Sequence, residues 1–240
     1  MLRYCYADAK AAEPDFSYGD LDRIFEIALI NSSLFPGIHL AGGNSASAYL
    51  QRWVSDYRNA VSNPPSTRTA KPKSACSDPA VRQIVMAARK MPKSAASLRE
   101  KYHNLFMSAE NIQGNLLEEY IAGVSRPYGW IWCAGNTLRA VDFCSSDGTA
   151  LLQIKNKFNT ENSSSSSIRE GTSILKWYRL GTRSRQGTQY PVYKWEALNQ
   201  IINDHRTAGF QLPPCCMTEE DYLRFITGAA AKNPGLITWE

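Results

Sequence analysis

The chain has 240 residues, 43% of them hydrophobic, and a net charge of +5, which is enough for one substantial core and excludes disorder throughout. No apolar run approaches the roughly 20 residues that span a bilayer, and the N-terminus MLRYCYADAK lacks the apolar core of a secretory signal, so a cytoplasmic protein without a membrane partner is expected. The charge is segregated: residues 52–101 hold eleven Lys and Arg against three Asp and Glu, and residues 150–206 hold nine against four, so two basic blocks flank an acidic centre, as suits a polyanionic partner held around a metal-binding cluster.

In chain order, LDRIFEIALI places Leu21, Ile24, Phe25, Ile27 and Ala28 at helical spacing, and SAYLQRWVSDYRNAV does the same with Leu50, Trp53, Val54 and Tyr57, so both read as core-forming helices. FPGIHLAGGNS between them is a loop, and the Pro- and cation-rich stretch at 62–74 is a linker that suits a phosphate backbone. Helices are expected at about 78–90, opened by Asp78-Pro79, and at about 94–106. A separate helix is expected over 108–123, with Ser108 as its N-cap and Gly123 as its stop. Its stripe Ile112, Leu116, Leu117, Tyr120 and Ile121 is expected to pack on a sheet, which leaves Glu118 and Glu119 at the stripe's edge or on the solvent side, one of them in reach of a site beyond it.

Residues 137–157, TLRAVDFCSSDGTALLQIKNK, read as a β-hairpin. Asp147-Gly148 favours a two-residue type I′ turn, so Ser146 pairs with Thr149, Asp142 with Gln153, Val141 with Ile154 and Phe143 with Leu152. Asp142, Gln153 and Lys155 then share one face, and apolar side chains fill the other. A slip of one residue would bury the charges. Beyond Lys157, the run FNTENSSSSS is expected to form a structured loop, and IREGTSILKWYRL a helix. YPVYKWEALNQII reads as a strand entering a helix, and the tail from Pro213 as a short helix with loops. Cysteines 5, 76, 133, 144, 215 and 216 form no Cys-x-x-Cys pair and have no His at ligand spacing, so neither zinc nor a disulfide framework is indicated.

An acid, an amide and a lysine on one polar face suit metal-assisted hydrolysis of a phosphodiester. Asp142 is the expected ligand of a Mg²⁺ ion, Glu118 or a water completes the carboxylate set, Gln153 offers an amide oxygen and Ile154 its carbonyl. Lys155 orients or deprotonates the water and offsets charge on phosphorus. Lys157, Asn159, Glu161, Asn162, Ser163, Ser164, Ser165, Arg169, Lys176, Arg183 and Arg185 are the candidates for contact with DNA. A structure-specific repair nuclease and a non-catalytic nucleic-acid-binding protein are the competing readings.

A helix with Glu118, a strand with Asp142 and a strand with Gln153-x-Lys155 resembles the PD-(D/E)xK nucleases. Over residues 103–180, AENIQGNLLEEYIAG, AVDF, QIKNK and NTENSSSSSIR together resemble the SinI-type type II restriction endonucleases. The resemblance implies an α/β (α+β) fold with a restriction-endonuclease-like core, its central mixed sheet flanked by helices. The resemblance leaves the N-terminal third unassigned; a mostly helical region (1–105) is expected to serve dimerisation, DNA clamping or both, and residues 106–240 to be the nuclease core with DNA-recognition elements. It further implies a homodimer that cuts double-stranded DNA at a near-palindromic site such as GGWCC and leaves 5′-phosphates. Val141 stands where the motif name has Pro, and Gln153 where an acid is usual.

Overall fold

The computed structural model describes residues 1–39, 45–69, 78–157 and 174–238. They form helices α1 (Leu2–Ala11), α2 (Gly19–Ile30), α3 (Ala46–Ser62), α4 (Pro79–Arg89), α5 (Lys93–Ser125), α6 (Trp195–Asp204) and α7 (Glu219–Lys232). The strands are β1 (Trp130–Trp132), β2 (Phe143–Ser145), β3 (Leu151–Lys157), β4 (Ile174–Arg185) and β5 (Thr188–Tyr193). By contacts the chain divides into two compact units, one of residues 1–64 with 118–222 and the other of 65–117 with 223–240.

The first unit is an α+β arrangement around a mixed sheet of order β1-β2-β3-β4-β5, in which only β3 and β4 pair in parallel. One face carries Ile131, Cys144 and, at its margin, Leu151 and Ile174, packed with Tyr6, Leu21, Phe25, Leu50, Trp53 and Tyr57 of α1–α3. The apolar spacing in α2 and α3 is what makes them bury this face, and Trp53 Nε1 adds a hydrogen bond of 2.9 Å to the Thr137 carbonyl. On the other face Trp130 Nε1 donates to the Ile202 carbonyl of α6 at 3.2 Å, and Trp177 lies 5.2 Å from Trp195, centroid to centroid. With helices on both faces, β3 is a central strand rather than the polar half of an exposed hairpin, and Gln153 is only 3% exposed.

In the second unit, Ile112 and Leu116 of α5 pack against Phe225, Ile226 and Ala229 of α7 and against Leu236. Asn233 Nδ2 ties the Ser66 and Arg68 carbonyls at 3.0 Å each. Asp78 caps α4 by accepting from Ala80 N at 2.8 Å, with Pro79 in the first turn.

Five expectations are corrected. The helices expected at 94–106 and 108–123 are one 33-residue helix. Ser108 does not cap it, because its hydroxyl donates back to the Asn104 carbonyl at 2.9 Å, an accommodation that lets serine sit inside a helix. Gly123 does not stop it either, since an αR glycine costs stability without forcing an end. Ile112 and Leu116 cover α7, not the sheet. Finally, the described part of the segment read as a helix after the serines is strand β4, whose register beside the buried β3 overrides its helical spacing.

The hairpin keeps its register but not its turn. Phe143 pairs with Leu152 and Cys144 with Leu151, as the apolar pattern requires. The loop, however, spans four residues between Ser145 and Ala150, with Ser145 N donating to Ala150 O at 2.9 Å and Gly148 N to Ser145 O at 2.9 Å. Only Gly148 has positive φ there, whereas a type I′ turn needs it at Asp147 as well. Asp147 instead acts through its side chain, accepting from Ser145 Oγ at 2.6 Å and from Thr149 N at 3.0 Å. Five described cysteines are free, and burial pushes the Cys215 thiol up to about 11. Among the described residues, no helix is long and apolar enough to cross a membrane.

Candidate active site

Asp142 lies one residue before β2, where the ladder is offset. Phe143 is the partner of Leu152, yet Asp142 N also donates to Leu152 O at 2.9 Å. Two residues thus face one, the arrangement of a β-bulge, which re-aims side chains beside functional sites. Val141 therefore pairs with Leu138 rather than Ile154, through a turn in which Ala140 takes φ +61, and Asp142 is not the ladder partner of Gln153. The bulge turns the carboxylate onto β3 all the same: Asp142 Oδ2 accepts from the Ile154 backbone N–H at 2.7 Å, filling the donor that Val141 would have served.

The carboxyl is half-buried. Burial pushes its pKa up, while the Ile154 N–H and the Lys155 charge pull it down. Desolvation is the largest effect, so this is a carboxylate short of compensating positive charge, which a cation would supply. Its Oδ1 takes no hydrogen bond from the described residues. Gln153 and Lys155 stand two apart on β3 and share a face, Gln153 buried and Lys155 half-buried.

Glu118 of α5 is half-buried and accepts from Trp132 Nε1 at 3.2 Å. Trp132 is the partner of Phe143 in the β1–β2 pair. The next residue, Cys133, is buried, and its thiol is raised by burial, by Cys144, and by the charges of both Asp142 and Glu118. Sequence spacing gave no sign of Trp132 as the partner of Glu118, because its indole reaches the carboxylate only once β1 is paired.

Two carboxylates, a buried amide and the Ile154 carbonyl are oxygen donors, the set that suits a hard divalent ion. Among the described residues no three His, Cys, Asp or Glu side chains cluster as a metal site. Of the candidates for DNA contact, Lys157 ends β3, Lys176 pairs with Gln153 in register with its ammonium 5.0 Å over the Tyr178 ring, and Arg183 and Arg185 are exposed at the end of β4. Asn159, Glu161, Asn162, Ser163, Ser164, Ser165 and Arg169 lie outside the described residues.

Sequence reasoning also missed a polar network one residue past Lys155. Asn156 Oδ1 accepts from Arg179 Nε at 2.9 Å, Arg179 Nη1 donates to Glu219, and Trp195 Nε1 donates to the other Glu219 oxygen at 2.8 Å. The Arg179 guanidinium also lies 5.2 Å over the Tyr222 ring.

The sequence is similar to known proteins. A type II restriction enzyme SinI of Salmonella infantis is 37% identical over 153 residues, covering 62% of this chain and 63% of that protein. A type II restriction enzyme Eco47I of Escherichia coli is 42% identical over 123 residues, 50% of this chain and 53% of that protein. The chain thus spans between half and two thirds of the length of these relatives. The family model described as SinI restriction endonuclease matches residues 53–210, which include both carboxylates, Gln153, Lys155 and all of the sheet. The chain belongs to the SinI restriction endonuclease family.

Proposed function

We propose that this protein is a cytoplasmic, Mg²⁺-dependent type II restriction endonuclease that hydrolyses both strands of double-stranded DNA at a short, near-palindromic site, with GGWCC as the first target to test, and leaves 5′-phosphates. The observation that carries this reading is the Asp142 carboxylate, turned by a bulge onto the Ile154 N–H and acted on by the Lys155 charge, in a chain of this family.

Asp142, Glu118, the Gln153 amide and the Ile154 carbonyl would hold the metal. When bound, it neutralises charge on the phosphate and lowers the pKa of a water. The protein's own groups do the rest. Ile154 N–H fixes the orientation of Asp142. Lys155 orients the attacking water or takes its proton and offsets charge on the phosphorus. Lys157 and Lys176, near the same strands, hold the backbone of the cut strand. Because the described residues carry one such site, cutting two strands of a palindrome calls for a symmetric homodimer.

The test is incubation of the purified protein with a plasmid of known sequence in Mg²⁺, and again with a chelator. Discrete fragments that map to one short sequence, and vanish with the chelator, are expected. Binding without cleavage, or nicking confined to branched DNA, would overturn the reading.

A further inference from the structure

Lys157, the end of β3, pairs with Leu180, and β4 continues to Arg185 with only β5 beside it among the described residues. Every residue from Thr182 to Lys194 is exposed. A two-stranded ribbon that buries nothing is marginal in water, and this one is held by its turn: Gln186 and Gly187 have φ of 51 and 77, both positive, as a type I′ turn requires. It is also uniformly basic, since the stretch 174–195 contains Lys176, Arg179, Arg183, Arg185 and Lys194 and no Asp or Glu.

The register puts Arg183 opposite Tyr190 and Arg185 opposite Thr188, so these four side chains share one face. Neither arginine side chain has an ion pair or hydrogen bond among the described residues. The outer strand carries Pro191, which lacks an N–H and blunts the edge against another strand. The occupant that fits is therefore a polyanion, not a sheet edge of a second copy.

We propose that this ribbon, Thr182–Pro191, enters the major groove of duplex DNA and that Arg183 and Arg185 read guanines there. This rests on the nuclease reading for its biological meaning and adds to it the element that sets specificity. The dimensions agree. From Thr182–Pro191 to Arg185–Thr188 the paired ribbon is about 10 Å long at ~3.4 Å per residue, and the major groove is about 12 Å wide and 8.5 Å deep. Along β4, Arg183 lies five residues beyond Tyr178, the partner of Lys155. That is about 17 Å, or roughly five base-pair steps of ~3.4 Å, so the ribbon meets bases within a short site around the cut.

The experiment uses the full chain with a chelator and a pool of duplexes carrying a randomised ten-base-pair core, bound and sequenced. The wild type is expected to enrich a guanine-containing sequence. Arg183→Gln and Arg185→Gln are each expected to lose about 10- to 100-fold in affinity for the enriched duplex, with under about threefold change on a scrambled one, and to relax preference at particular guanines. Arg183→Lys, which keeps the charge, is expected to relax the same position without changing the salt dependence of binding. Replacing that guanine by 7-deazaguanine is expected to weaken the wild type and leave Arg183→Gln unmoved. No enrichment by the wild type, unchanged selection by the variants, or equal losses on both duplexes would overturn the proposal. A parallel digest with Mg²⁺ keeps the two ideas apart, since selective binding without cleavage sinks the nuclease reading and leaves the ribbon standing.

Discussion

The backbone N–H of Ile154 donates to Oδ2 of Asp142 at 2.7 Å, although the two residues are not partners in the sheet. A side-chain oxygen has taken the place of a main-chain acceptor, and the exchange depends on the bulge at Asp142 and Phe143. Orientation of the acid is thereby built into the strand that also carries Gln153 and Lys155. Any change that restored a regular ladder would turn the carboxylate away.

Replacing Asp142 or Lys155 by alanine is expected to lower the rate of plasmid cleavage by at least about 10³-fold, the scale of losing a charge-stabilising or proton-transfer group. Binding to a short duplex, followed by fluorescence anisotropy, should change by less than about tenfold. A variant that still cut near the wild-type rate would remove its residue from the site.

Gln153→Glu places a second carboxylate near one that burial already penalises. We expect retained cleavage, a Mg²⁺ requirement shifted by about tenfold or more, and a rate profile whose acid limb moves to higher pH, because like charge pushes a carboxyl pKa up. The measurement is initial rate against Mg²⁺ concentration at several pH values. An unchanged Mg²⁺ response would count against Gln153 as a ligand.

The raised pKa of Asp142 has a consequence for stability in the metal-free protein. A carboxyl whose folded-state pKa lies above its unfolded value of about 3.9 costs stability as pH rises through the unfolded value, and the cost levels off above the folded one. Asp142→Asn with a chelator present should therefore melt higher than the wild type at neutral pH, each kcal/mol gained being worth about 2–4 °C in a chain of this size. The advantage should shrink toward pH 3. Thermal melts across pH 3–8 check both sign and trend, and a destabilised variant at pH 7 would contradict it.

Much of this was legible before any coordinates. The helical spacing of Leu21, Ile24 and Phe25, and of Leu50, Trp53 and Tyr57, marked the face that covers the sheet, because burial on one side leaves a period in sequence. Phe143 and Leu152 fixed the hairpin register for the same reason. The turn was misread because a local preference of Asp147-Gly148 yielded to side-chain bonds from Asp147. Strand β4 was misread because its partner β3 supplies half of what makes it a strand. The placement of Glu118 beside Trp132 and the Arg179–Glu219 pair left no trace, since partners 14 and 40 residues apart share no local pattern.

That last pair offers a sharp test of what supports β3 behind Lys155. Arg179 and Glu219 are 10% and 16% exposed at their side chains, and Glu219 serves Arg179 and the Trp195 indole at once. Glu219→Ala strands a buried guanidinium and an indole N–H, so a loss of about 3–5 kcal/mol is expected. Arg179 also holds Asn156, so the variant should lower cleavage at temperatures where it is still folded. Replacing both partners, Arg179→Met with Glu219→Leu, should recover much of the stability, since apolar side chains often replace a buried pair at little cost. It should not restore the hold on Asn156, so cleavage should stay low while the urea midpoint returns toward wild type. Recovery of both together would show that Arg179 acts on stability alone.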